Sequence, residues 1–508
     1  MIFPRTSGIL LHPTSLPSPF GIGDLGNDAL RFADFLAQTH QHLWQMLPLG
    51  PTGHGNSPYQ SLCVFAGNPM LISPERLLED GFLDAGDLAD VPSFPRHRVA
   101  FKAVTGFKAR LFRKSFAIFR QRARPAQKEQ FEAFCRHSAG WLSAFALYAA
   151  VREAHQLHPW NKWDNSIKMG HPEALDGWGK KLKDEIECLK YQQYQFARQW
   201  EELKNYCHKL DISLIGDIPI FVAMDSADVW LHPEMFYLDN HGRPTVVAGV
   251  PPDYFARTGQ LWGSPIYRWA DMAQDGYAWW IERFQAMRNL VDIIRLDHFR
   301  GFQAYWEVPG SDTTAINGRW VPGPGAALFE AAEKALGPLP IIAEDLGLIT
   351  PDVEALREKL GFPGMRVLQF AFNPDSKSDT YKPYNYPCHC VVYTATHDND
   401  TTVGWFKSID PADSTLNHEG RRKQRKMVLK YTGTSGQRIN WDFIRLALMS
   451  TANTAIIPLQ DVMGLGSRAR MNRPGIAAGN WRWRFTGEML TPEIAERLKD
   501  MTVTYGRG

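Results

Sequence analysis

Eight short apolar runs punctuate the chain, at 7–12, 43–49, 212–217, 291–297, 340–344, 365–370, 391–397 and 454–460. Apolar runs of this length, bounded by polar residues or by Gly and Pro, read as buried strands. Most follow a stretch of helical period. Residues 28–37 are one such stretch, and 351–360 are another, with Thr350 as cap and Pro351 at the first helical position. Strands alternating with helices spell a parallel sheet, and eight of them predict a closed (β/α)8 TIM barrel of the α/β class.

Two intervals are too long for single crossovers. Residues 50–211, after the second strand, read as a mainly helical insertion. Phe101, Val104, Phe107 and Leu111 recur every three or four residues there, and so do Phe112, Phe116 and Phe119. The Arg and Lys residues at 95–125 read as the solvated face of that pattern. Residues 223–289, after the third strand, form a second insertion rich in Pro, Gly and aromatics. No repeat or flexible linker separates these segments. The whole of 1–508 is therefore expected to be one catalytic barrel with large outgrowths.

Composition removes several classes of function. A formal net charge of +2 argues against a dedicated nucleic-acid binder. No stretch has the length of a membrane span, and the N-terminus lacks the apolar core of a signal peptide. The six cysteines form no CxxC pair, and Cys388-His389-Cys390 is too tight for usual zinc spacing. Free thiols in a reducing cytoplasm, with no metal and no cofactor, are the expectation. The glycines of 21–26 match GxGxxG, but the preceding strand ends near His12 and no tight turn joins them, so a dinucleotide site is rejected. They are read instead as a barrel loop that Asn27 or Asp28 caps into a helix.

The candidate chemistry lies where three apolar runs end in acids: Asp297, Glu344 and Asp398. In a parallel barrel the strand C-terminal ends surround one site. Arg295 and Asp297, two apart, share a strand face, and a guanidinium keeps a neighbouring carboxylate ionised. That suits a nucleophile, although a structural ion pair has the same spacing. The next run offers Glu344 and Asp345, and strand parity does not choose between them. A proton donor there needs a raised pKa, from burial or from a nearby like charge. Asp398 sits in the polar stretch 396–402 with His397, which also reads as an Asp/Asn turn. Asp217 ends the third strand in the same manner and reads as a positioning group. Paired carboxylates of this kind are the machinery of retaining glycoside chemistry. A Gly-rich loop with Arg468 and Arg470 after the eighth strand is the competing signal, for a phosphorylated substrate.

Nine ordered stretches resemble the 4-α-glucanotransferase family known as amylomaltase or disproportionating enzyme, in the α-amylase clan. They are 8–17, 57–60, 65–69, 216–222, 249–255, Arg-Leu-Asp-His-Phe-Arg-Gly at 295–301, Ala-Glu-Asp-Leu-Gly at 343–347, Thr-His-Asp-Asn-Asp at 396–400, and 470–475. The resemblance runs nearly end to end. It implies a retaining transfer of α-1,4-glucan segments between donor and acceptor sugars, with α-glucan hydrolysis on the same scaffold as the alternative. By resemblance Asp297 is the nucleophile, Glu344 the general acid/base and Asp398 the transition-state stabiliser. Arg295, His298, His397 and Asp217 fall among the sugar contacts, and Tyr59 is an aromatic platform. Tyr254, Gln260 and Trp262 belong to a loop that arches over the glucan, shaped by Gly249, Pro251 and Gly263. The family needs no metal. Thr52-Gly53-His54-Gly55 departs from the more usual aromatic before the second Gly, on the acceptor side. A monomer or weak homo-oligomer is expected.

Overall fold

The computed structural model describes residues 3–252, 257–373, 376–408, 416–476 and 478–508. Among the described residues twelve strands follow in chain order. They are β1 (Thr6–Leu10), β2 (Leu43–Gln45), β3 (Ser213–Ile218), β4 (Val246–Val250), β5 (Gln260–Pro265) and β6 (Ile293–Leu296). Then come β7 (Ala304–Pro309), β8 (Arg319–Pro322), β9 (Ile341–Ala343), β10 (Gly364–Val367), β11 (Cys390–Tyr393) and β12 (Thr454–Pro458).

Eight of these form one parallel sheet in the order β10-β11-β12-β1-β2-β3-β6-β9, a (β/α)8 TIM barrel. Each of the eight apolar runs contributes one barrel strand. Their side chains are buried on both faces, as parallel strands wrapped by helices require. Among the described residues no ladder joins β9 to β10. The seam is bridged by the Ala343 amide, which donates to the Pro363 carbonyl at 2.9 Å. The Met365 amide donates to Asp345 Oδ1 at 2.7 Å. Gly364 leaves room for that carboxylate, because a Cβ there would overlap it. Arg357 and Arg366 neutralise it at 3.3 and 3.5 Å.

Residues after β2 carry the helices Phe101–Arg122, Pro125–His137, Leu142–Ala154 and Lys183–Lys209. Val104, Phe107, Leu111, Phe112, Phe116 and Phe119 are buried on the first of these. Lys108 is not on its solvated face. It lies on the buried stripe between Val104 and Leu111, fully enclosed. Its ammonium donates to the carbonyls of Met70 at 2.7 Å and Ile72 at 2.9 Å, and faces Asp24 at 3.5 Å. Spacing of four from Val104 was the available signal for this. Asp24 also accepts from the Gly26 amide. Gly26, rather than Asn27 or Asp28, is the N-cap of helix Asn27–Gln38.

The segment between β3 and β6 supplies β4 and β5, and the segment between β6 and β9 supplies β7 and β8. Together they make an antiparallel sheet, β5-β4-β7-β8. Among the described residues no helix is long and apolar enough to cross a membrane.

Candidate active site

Register explains the centre of the site. In the β3–β6 ladder Asp217 lies directly opposite Arg295. Side chains so paired on one face are neighbours, and Arg295 Nη1 meets Asp217 Oδ2 at 2.6 Å. The same nitrogen meets Asp297 Oδ1 at 2.8 Å. Arg295 is buried, and one guanidinium thus holds two carboxylates. The two acids raise its pKa further, against the effect of burial. Burial pushes the Asp217 carboxyl up, and Arg295 opposes that.

In the β6–β9 ladder the last aligned pair is Leu296 with Ala343. Asp297 and Glu344 are the next residue on each strand. Adjacent strands lie about 4.8 Å apart, so the two acids rise side by side. Hydrogen bonds tie the two strand ends together. Chain reversal at His298, in the left-handed region at φ 53°, turns its amide onto Glu344 Oε2 at 2.8 Å. The Leu346 amide donates to the other oxygen at 2.9 Å. Burial, then the charge of Asp297, push the Glu344 carboxyl up to about 8, against Arg295 and the two amides. Asp345, the alternative that parity left open, points into the β9–β10 seam and is engaged there.

Asp398 does not end a strand. β11 stops at Tyr393, because Asn399 Oδ1 accepts from both the amide and the hydroxyl of Thr396 and closes a turn. The Asp398 side chain is about half exposed, and Asn472 Nδ2 donates to its Oδ1 at 2.6 Å. His397 Nε2 lies 3.3 Å from the same oxygen, and burial keeps that imidazole's pKa low.

Tyr59 joins the two halves of the mouth. Its hydroxyl donates to Asp217 at 2.8 Å while its ring stacks on His397 at 5.1 Å. Trp481 packs against both rings. Trp262 meets the His298 ring edge-on at 4.7 Å, and Gln260 accepts from its indole N–H at 3.3 Å. Burial pushes the His298 imidazole down to about 4. Tyr254 lies outside the described residues.

Sequence reasoning missed Trp481 and the part played by Asn472. Asn472 stood within the 470–475 stretch, but nothing in its spacing tied it to Asp398. The phosphate reading of Arg470 does not hold. Its guanidinium donates to the carbonyls of Asp398 and Asn472, both at 2.7 Å, and braces the turn instead. Among the described residues no group of three or more His, Cys, Asp or Glu side chains could hold a metal ion.

The model of the 4-alpha-glucanotransferase family matches residues 11–491. The chain belongs to the 4-alpha-glucanotransferase family. A 4-alpha-glucanotransferase from Synechocystis sp. is 49% identical across 100% of this chain and 99% of its own length. One from Thermus thermophilus is 46% identical, over 99% of each. Among solved structures, an amylomaltase from Streptococcus agalactiae in complex with acarbose has a TM-score of 0.94 at 36% identity. That match covers 99% of this chain and 100% of the other. Members of the 4-alpha-glucanotransferase family are thus similar to this chain in both sequence and backbone along its full length.

Proposed function

We propose that the protein transfers α-1,4-glucan segments between malto-oligosaccharide or starch and glycogen chains by a retaining double displacement. Asp297, held by Arg295, attacks the anomeric carbon. Glu344, protonated at neutral pH, gives its proton to the departing sugar oxygen. The 4-hydroxyl of an acceptor glucan, deprotonated by Glu344, then takes the glycosyl group from Asp297, and two inversions leave the configuration retained. Asp398 and His397 hold ring hydroxyls and favour the oxocarbenium-like shape. Asp217 and Tyr59 line the same sugar subsite. Trp262 and Gln260 cover the glucan and keep water from the intermediate.

One observation carries this reading. An arginine-held aspartate and a glutamate of raised pKa stand on adjacent strand ends, one amide apart. Opposed protonation states on neighbouring carboxyls are what a retaining mechanism requires. The same reading has the enzyme work in the cytoplasm as a monomer or weak homo-oligomer, without a cofactor.

Incubation with maltotriose tests it. Transfer gives glucose together with a ladder of longer chains. Products that are only shorter than the substrate would make the protein a hydrolase on this scaffold. Loss of the ladder in Asp297→Asn is expected, and retained turnover in that variant would remove Asp297 from its role.

A further inference from the structure

Beside the turn after β11 lies a small hollow of about 20 Å³, room for about one water, to which three barrel strand ends contribute polar groups. His12 comes from beyond β1. Thr396, Asn399 and Asp400 come from the turn after β11, and Gln460 and Arg470 from beyond β12. His12 is 3% exposed, and its Nδ1 is buried with no hydrogen-bond partner among the described residues. A buried ring nitrogen without a partner costs free energy, so a native structure seldom leaves one bare.

The rest of the turn is firmly tied. Asp461, fully buried, accepts from the hydroxyls of Thr394 at 2.6 Å and Thr402 at 2.7 Å. Gln369 donates to the Asp400 carbonyl at 2.8 Å, and Ser467 to its carboxylate at 2.6 Å. His12 is the buried polar side chain against this turn whose bonding is incomplete. It stands near enough to His397 for the charge of that ring to disfavour its own protonation, after burial, which is the larger cause. A neutral imidazole has one nitrogen that donates and one that accepts. A hollow of one water's size that offers two to four polar partners is what an ordered buried water needs, and His12, Thr396, Asn399, Asp400 and Gln460 offer them among apolar neighbours.

We propose that His12 is a positioning residue for glucan transfer: an ordered water in this hollow bonds its Nδ1 to polar atoms of the 394–402 turn and so holds His397 and Asp398 in place. This rests on the reading of Asp398 given above. The bridge is nearly as good as a direct hydrogen bond, and it joins the C-terminal ends of the first and seventh barrel strands.

The test pairs a crystal structure with two variants. Density for a water within hydrogen-bond distance of His12 Nδ1 is expected, and a dry hollow overturns the proposal whatever the enzyme does. His12→Leu should lower kcat on maltotriose about tenfold with KM changed less than about twofold, as a slightly displaced turn predicts. His12→Asn, which keeps a polar group toward the hollow, should recover most of that loss. Val104→Ala, in the helical insertion, controls for lowered stability alone and should leave kcat unchanged. Equal kcat in His12→Leu and wild type, or no recovery in His12→Asn, also overturns it. A wild-type enzyme that makes no ladder removes the functional reading, while the water is still read from the density.

Discussion

Replacing Glu344 with glutamine separates two contributions that the structure superposes at one carboxyl. The folded Glu344 binds its proton far more tightly than an unfolded glutamate, with a pKa moved from 4.5 to about 8. Below pH 4.5 both states are protonated and the group is neutral to folding. Between pH 4.5 and 8 the unfolded chain ionises and the folded one does not. Wild-type stability therefore falls as pH rises, by about 1.4 kcal/mol per pH unit for this group. Across the window the loss reaches roughly 5 kcal/mol. The side chain of the Glu344→Gln variant does not titrate, so that slope is absent from it. The variant carries a fixed cost instead, because the His298 and Leu346 amides reach different carboxyl oxygens and the glutamine NH2, which cannot accept, replaces one of them; that offset is about 1–3 kcal/mol at every pH. For a chain of 508 residues the unfolding entropy near the midpoint is about 1 kcal/mol/K. The Tm of Glu344→Gln minus that of wild type should then rise by about 4 °C from pH 5 to pH 9. Calorimetry across that range measures it. Parallel profiles would refute the claim that this carboxyl is held protonated. Asp297→Asn refines it: with burial the larger cause, the inflection should move down without returning to 4.5.

Three further outcomes follow from named contacts. Trp262→Ala removes the indole against His298 and should raise glucose release by hydrolysis relative to transfer, read from the maltotriose product ratio; an unchanged ratio refutes its role as a water barrier. Arg295→Met leaves Asp217 and Asp297 without their shared cation and should cost roughly 3–5 kcal/mol in urea unfolding, with part of it recovered in the double variant with Asp217→Asn. Lys108→Met strands the buried Asp24 and should destabilise by a similar roughly 3–5 kcal/mol, whereas adding Asp24→Asn should bring stability back toward wild type.

Much of the barrel was legible because parallel strands buried on both faces must be apolar throughout. All eight runs met that condition at most positions, the charged exceptions Asp217 and Arg295 facing each other in the site, and the acids that follow β6 and β9 stood out against them. The antiparallel sheet was not legible. β8 is mostly exposed, and β4 finds its partner β7 beyond the next barrel strand, so neither periodicity nor sequence proximity announces the pairing. Asp398 was found for a partly wrong reason. Its apolar run continues in sequence past Tyr393, but the Asn399 side chain ends the strand there. Residues acting through distant chain segments left the weakest trace. Asn472 reaches Asp398 across 74 positions and Trp481 meets Tyr59 across more than 400, and local pattern carries no record of such closures.

The interrupted pairing between β9 and β10 divides the mouth unevenly. Asp297 and Glu344 stand on strands linked by an unbroken ladder, so their spacing is as stiff as the backbone itself. Asp398 hangs beyond the gap, reached the short way round through the Asp345 carboxylate with its two arginines and one amide contact. If the hoop breathes, it breathes there. On the proposed mechanism, such a flex would loosen or tighten the grip on the sugar's hydroxyls while Asp297 and Glu344 keep their gauge, and so would let a single scaffold admit successive glucans without detuning its chemistry.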